Sequence, residues 1–336
     1  MNRRFRLLLL LAVFVAMLPF RSPAPLIYTP GEGWYYEQFG INTKWLRDRA
    51  KDQLEVAEAA FKNNDFATAS HAAHRVVRVW PLSDYAPRAQ YLIGRCLEAE
   101  GKTEEAFNAY QAIVKNYPKL DNLNDVLWRQ YEIANLYLGG KYFRVFWGLV
   151  PLYSSMDDTA KMYSQIVTNG PFSEVAPHAQ LRIGAAREKQ KDYELAVKAY
   201  AFAADRYYDQ PTIVADAMYS RGYCYQKQAA TAEYDQGTAA QAIAAYTDLI
   251  TLFPDDKRAA EAQKAIATLK IEQVRSSFEI AKFYENSKTL NVDQRRSGAV
   301  VYYNQVLQLD PNSTYAAQAK QRIAALMPRA ASPPLR

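Results

Sequence analysis

The chain is poor in the residues that most chemistry needs. It has 2 cysteines and 3 histidines in 336 residues, and only 13 glycines. Cys96 and Cys224 each fall two residues after a glycine, Gly94 and Gly222. That places them at the same position of two distant segments, beyond disulfide reach, and reads as small core residues. Neither follows the N-terminal apolar run, so no lipid-attachment cysteine is seen there. His71 and His74 lie three apart on one helical face, but with His178 as the only other histidine they lack the further ligands a metal site needs. They read as groove or surface histidines. There is no Gly-x-Ser-x-Gly, His-Glu-x-x-His or Walker sequence, and Gly31-Glu-Gly33 lacks the Lys-Ser/Thr of a phosphate loop. The paired acids Glu104-Glu105, Asp157-Asp158 and Asp255-Asp256 stand at helix ends, where they cap or solvate. No catalytic constellation, metal or cofactor is expected, and the chain does not read as an enzyme.

Positive charge is concentrated at one end. The formal charge is +6; the four arginines of residues 1–24, with no acid among them, leave +2 for the rest. That balance does not suggest a basic face for nucleic acid. Arg3, Arg4 and Arg6 followed by the apolar run 7–18 read as a signal peptide or N-terminal anchor over 1–24, too short to span a bilayer comfortably. The protein is therefore expected to be exported to the periplasm or the periplasmic face of the envelope. Residues 25–42, punctuated by proline and glycine, read as an extended linker, and 328–336 as a disordered tail.

What the chain has in abundance is tyrosine, 25 in all, and 49% hydrophobic residues. From Arg88 to Pro118 two amphipathic helices are joined at Gly101 and Lys102. Tyr91, Gly94 and Leu97 share one face of the first; Ala106, Tyr110 and Ile113 share one face of the second, and Pro118 ends it. Small, aromatic and proline residues at these offsets match the tetratricopeptide pattern of about 34 residues. The pattern recurs. Second-helix alanines lie 37 apart at Ala69 and Ala106, and 36 apart at Ala160 and Ala196. The longer steps, 54 to Ala160, 46 to Ala242 and 57 to Ala299, coincide with insertions read at 139–157, 227–238, and 255–270 with 286–296. The expected fold is all-α, a right-handed tetratricopeptide solenoid over 43–327, with five to six helix pairs and a capping helix near 314–326.

In such an array the first helices line the groove. Registering on Gly94, Ala134 and Gly222 brings forward Tyr91 and Arg95, then Trp128, Tyr131 and Asn135, then Tyr219 and Tyr223. Aromatics with an arginine can grip an extended peptide by stacking and hydrogen bonding. The same side chains can equally pack between helices. The insertion 139–157 contributes Phe143, Phe146 and Trp147, which must bury against the solenoid edge or dock on a partner or the bilayer surface.

The fragments AKFYE and AVVYYNQVLQLDPNS, within the repeat arrangement of 43–327, resemble the last repeat of the BamD (YfiO) family of outer-membrane-protein assembly factors. The resemblance implies a non-catalytic periplasmic adaptor that holds a barrel-insertion subunit and contacts unfolded outer-membrane proteins. The absent lipidated cysteine and the long aromatic insertion depart from the family. They leave open a different envelope scaffold, coordinating peptidoglycan synthesis or division.

Overall fold

The computed structural model describes residues 26–29, 33–36, 45–117, 122–145, 150–153, 155–231 and 236–326. The segment read as a signal, Phe146 and Trp147 of the insertion, and the tail 328–336 lie outside the described residues. Two compact units form, 1–121 and 122–336. The first holds the hairpin β1 (Leu26–Thr29) and β2 (Gly33–Tyr36) and the helices α1 (Ala50–Lys62), α2 (Phe66–Val79), α3 (Ala86–Ala99) and α4 (Thr103–Asn116). The second begins with α5 (Leu123–Leu138), the hairpin β3 (Phe143–Val145) and β4 (Val150–Tyr153), then α6 (Met156–Asn169). It continues through α7 (Ala176–Lys189), α8 (Tyr193–Arg206), α9 (Pro211–Thr231), α10 (Gln236–Leu252), α11 (Ala259–Asn286), α12 (Val292–Leu309) and α13 (Thr314–Leu326). Both units are helical-repeat solenoid in character.

Two local devices recur and set the helix boundaries. Inside four helix pairs, the first helix ends on a residue with positive φ: Asn64 (60°), Gly101 (75°), Gly140 (102°) and Lys191 (63°). Its N–H and the next one turn back to carbonyls of the last helical turn, as in Lys191 to Glu188 and Asp192 to Arg187. Asp65 and Asp192 then cap the following helix, accepting from the N–H groups of Thr68 and Leu195 at 3.1 Å. Between pairs, a proline follows the helix end and a serine closes the turn. Ser83, Ser173 and Ser313 each donate both N–H and Oγ–H to the carbonyl three residues back. Pro87 and Pro177 then sit in the first turn of α3 and α7, where a missing N–H costs nothing.

The core is a series of tyrosines from second helices seated on small residues of first helices. Tyr110 lies over Gly94, Tyr200 over Gly184 and Tyr246 over Gly222. Ala134 and Ala281 hold the corresponding sequence position in the pairs of Tyr163 and Tyr303. All five rings are buried. Four of the hydroxyls find an acceptor on the first helix: Tyr163 to Asn135 (2.6 Å), Tyr200 to Glu188 (3.0 Å), Tyr246 to Gln226 (2.9 Å) and Tyr303 to Glu285 (2.8 Å). A second buried link comes from Gln90 and Gln180, which donate to the carbonyls of Ala109 and Ala199 at 3.1 Å.

The insertions take three forms. Within 139–157, Phe143–Val145 pairs antiparallel with Val150–Tyr153, and α6 already begins at Met156. Residues 227–238 largely lengthen α9 and α10. Residues 255–270 are not a separate insertion: from Ala259 they are the first half of the unbroken 28-residue α11. Its Ala262 and Leu269 complete the core of α9 and α10, while Val274, Phe278 and Ala281 enter the core of α12 and α13. The expected capping helix is α13, whose Ala316 and Ala319 are buried and whose Arg322 pairs with Glu285. In the linker read as extended, Leu26–Thr29 pairs antiparallel with Gly33–Tyr36.

The seats leave no spare room. A Cβ at Gly184 would stand 2.5 Å from Cε1 of Tyr200, a ring only 4% exposed. Gly184→Ala is expected to lose about 1–3 kcal/mol of stability through overpacking. A urea midpoint equal to that of the wild type would show that the ring can retreat.

Candidate functional site

The sequence-predicted groove residues separate into three environments. In the first unit, Tyr91 is half-buried with its ring 5.7 Å from that of Tyr110. Arg95 lies over the Phe61 ring at 5.5 Å and pairs with Glu98 at 3.5 Å. Tyr91 is engaged within its own pair and Arg95 reaches the ring of the preceding one, while the arginine charge is answered locally.

In the second unit, Trp128, Tyr131 and Asn135 fall on one face of α5, spaced by three and four residues. Tyr131 is held edge-on to Trp128 (centroids 5.4 Å, interplanar 89°) and to Tyr163 (5.8 Å). The carboxamide oxygen of Asn135 accepts from the Tyr163 hydroxyl. Burial pushes that hydroxyl's pKa up, so it stays protonated and remains a donor. The helix α7 of the next pair brings two residues against this face. His178 stacks obliquely on Trp128 at 5.9 Å, and Nε of Arg182 donates to the Tyr131 hydroxyl at 3.2 Å. That bond raises the guanidinium pKa further, and the group is cationic throughout. Farther along α7, Lys189 Nζ donates to the carbonyl of Leu138, at the C-terminal end of α5.

The sequence reading missed His178 and Arg182. On the helices of Gly94, Ala134 and Gly222 the expected residues, Trp128 apart, stand three before and one after the small seat residue. In α7 those positions are Leu181 and Ala185, both uninformative. The signal lay at six and two residues before Gly184. Trp128 occupies the same six-before position relative to Ala134.

The third environment surrounds Tyr219 and Tyr223 on α9. Arg258 stands 5.1 Å above the Tyr219 ring while pairing with Asp216 (2.7 Å) and Asp256 (2.8 Å). Burial, then a hydrogen bond to Glu261, pushes the Tyr219 pKa up to about 12. Lys227 lies 5.0 Å over the Tyr223 ring. This end is a satisfied ionic knot. In the insertion, Phe143 does not face solvent: it is 6% exposed and stacks on Tyr137 with centroids 4.2 Å apart.

Other chemistry is sparse. Among the described residues no group of three or more His, Cys, Asp or Glu is placed to hold a metal. Burial raises the thiols of Cys96 and Cys224 to about 11 and about 12, so both are protonated and poor nucleophiles at neutral pH. Burial lowers the His74 pKa, and the His71 ring stacks on Trp45. No described helix is long and apolar enough to cross a membrane.

Residues 54–121 match the family model of the tetratricopeptide repeat, and residues 153–310 match that of YfiO, outer membrane lipoprotein. The chain is a tetratricopeptide-repeat protein that is BamD-like over 153–310. The YfiO match starts at the end of the insertion and runs through α12, narrower than the 43–327 of the sequence resemblance, and includes AKFYE and all but the last three residues of AVVYYNQVLQLDPNS. A search of curated proteins by sequence finds no match. Solved structures with a similar course include a tetratricopeptide repeat protein from Parabacteroides merdae, 13% identical over 83% of this chain and 99% of that one, with a TM-score of 0.36. Another from Bacteroides fragilis is 15% identical over 84% and 100%, with a TM-score of 0.37. The pilF protein of Pseudomonas aeruginosa is 10% identical over 81% and 97%, with a TM-score of 0.29.

Arg258 makes the BamD-like second unit acid-sensitive at a defined place. Its hydrogen bond holds the Asp256 carboxyl down at about 2, and both side chains are largely buried. The unfolded value is about 3.9. The pair therefore stabilises fully above about pH 4 and loses its contribution as pH falls through about 2. Asp256→Asn is expected to lower the urea midpoint at pH 7 and to differ progressively less from the wild type below pH 4. A gap of constant size from pH 7 to pH 2.5 would contradict this.

Proposed function

We propose that the protein is a non-catalytic periplasmic adaptor of the BamD type, supporting assembly of outer-membrane β-barrel proteins through protein–protein contacts. The observation that carries this reading is the YfiO match over 153–310, which spans α6 to α12 and so covers most of the second unit. The N-terminal segment 1–24 supports export. The partners are a barrel-insertion subunit and unfolded outer-membrane proteins. The face formed by Trp128, Tyr131 and Asn135 with His178 and Arg182 is the peptide-binding surface.

Crosslinking in the native envelope followed by mass spectrometry tests the assignment. The expected result is recovery of a β-barrel-insertion subunit together with outer-membrane barrel proteins. Recovery of peptidoglycan-associated or division proteins alone would replace this reading with a wall-synthesis scaffold, which the missing lipidation cysteine would then suit.

A further inference from the structure

Two of the turns that join helix pairs in the second unit carry more than a turn requires. Between α6 and α7 the turn is made by Pro171 and by Ser173, whose N–H and Oγ–H return to the Gly170 carbonyl. Phe172 between them is 90% exposed. The same place in the turn between α12 and α13 is held by Asn312, so the turn itself does not call for an aromatic residue. Between α8 and α9, Tyr208 is 80% exposed beside the buried Tyr207. The two turns touch: the Tyr207 hydroxyl donates to the Pro171 carbonyl at 3.4 Å, and Arg206 lies over the Phe172 ring at 5.1 Å. One turn back along α8, on the face of Arg206, Phe202 is 51% exposed. Single exposed aromatics are ordinary, but three on adjoining elements form a patch for a partner to cover.

The charges around this patch are mostly of one sign. Glu174, Asp205 and Asp209 are exposed and enter no ion pair among the described residues. Asp205 stands in the last turn of α8, where the helix dipole disfavours a negative charge. Neither helix stability nor a salt bridge accounts for it. Three open carboxylates repel anionic lipid headgroups and nucleic acid, and they attract a cationic chain. Arginine fits better than lysine, because a planar guanidinium both stacks on an aromatic ring and meets a carboxylate in bidentate fashion. Arg206 over Phe172 shows the stacking half of that contact within the chain itself.

We propose that this edge of the second unit docks an extended, arginine-bearing segment of a partner protein, its guanidinium groups stacking on Phe202 and Tyr208 and pairing with Asp205 and Asp209. None of these residues belongs to the face of Trp128, Tyr131, Asn135, His178 and Arg182. The inference therefore goes beyond the adaptor reading and does not rest on it.

Two fluorescein-labelled, amidated decapeptides of glycine and serine test it, one carrying two Arg-Leu pairs and the other Gln-Leu in their place. Titrated with the full chain by fluorescence anisotropy at low ionic strength, the arginine peptide is expected to bind about tenfold tighter. The preference should shrink as NaCl is raised to about 0.5 M, since exposed charge pairs are screened. Asp205→Asn combined with Asp209→Asn should remove the preference without lowering the melting temperature. Phe202→Ser combined with Tyr208→Ser should weaken the arginine peptide about tenfold while the circular dichroism spectrum stays that of the wild type. Equal binding of the two peptides, no binding of the arginine peptide, or a preference that survives the aspartate substitutions overturns the proposal. Co-sedimentation of the chain with phosphatidylglycerol vesicles, lost on Phe202→Ser with Tyr208→Ser, also overturns it and makes the edge a bilayer contact.

Discussion

The structure depends on a tyrosine ring lying flat over a residue with little or no side chain. In every pair but the first the second helix presents the ring, the first presents glycine or alanine, and the missing atoms let the two backbones close up. A buried tyrosine brings a hydroxyl that must be satisfied, since an unpaired polar group in a core costs about 1–3 kcal/mol. In three pairs the acceptor stands four residues beyond the seat, as Glu188, Gln226 and Glu285. In the third pair that position is Leu138, and Asn135 accepts instead. Ring and hydroxyl together fix both distance and rotation between the helices.

This arrangement shapes the exposed face. Asn135 is drawn toward the core by Tyr163 through its oxygen alone, so its nitrogen remains for another partner. Tyr131 leans on Tyr163 and presents its own hydroxyl to Arg182. The side chains of this face are thus positioned by the same tyrosines that hold the pairs together. At Tyr219 the outcome differs because α11 begins immediately after the turn, and Arg258 at its start meets Asp256 of the turn and Asp216 of α9.

Much of the architecture was legible in the chain. The seats and tyrosines were visible as glycine, alanine and tyrosine at repeating offsets, and the insertions as excesses in alanine spacing. The nature of those excesses was not legible. Residues 255–270 carry the same polar and alanine-rich character as a loop or a helix, and only packing of Ala262 and Leu269 on the preceding pair makes them helical. The buried glutamines Gln90 and Gln180, four residues before their glycines, went unread because glutamine is usually a surface residue. The site was half legible: α5 announced itself by Trp128 and Tyr131, whereas α7 has leucine and alanine three before and one after Gly184.

The sequence by itself determined the repeat, the pairing of tyrosine with a small residue and the aromatic character of α5, because these follow from local periodicity and from the volume one side chain leaves for another. Tertiary structure alone decided which cations are spent and which are free. Arg95, Arg258 and Arg182 are the same residue type on comparable helices, and ion pairing is set by what neighbouring layers bring within 4 Å. Glu98 lies one turn from Arg95 and Asp256 two residues from Arg258 in sequence, but Asp216 and the tyrosine of Arg182 arrive from other elements. No periodicity within a single repeat encodes that.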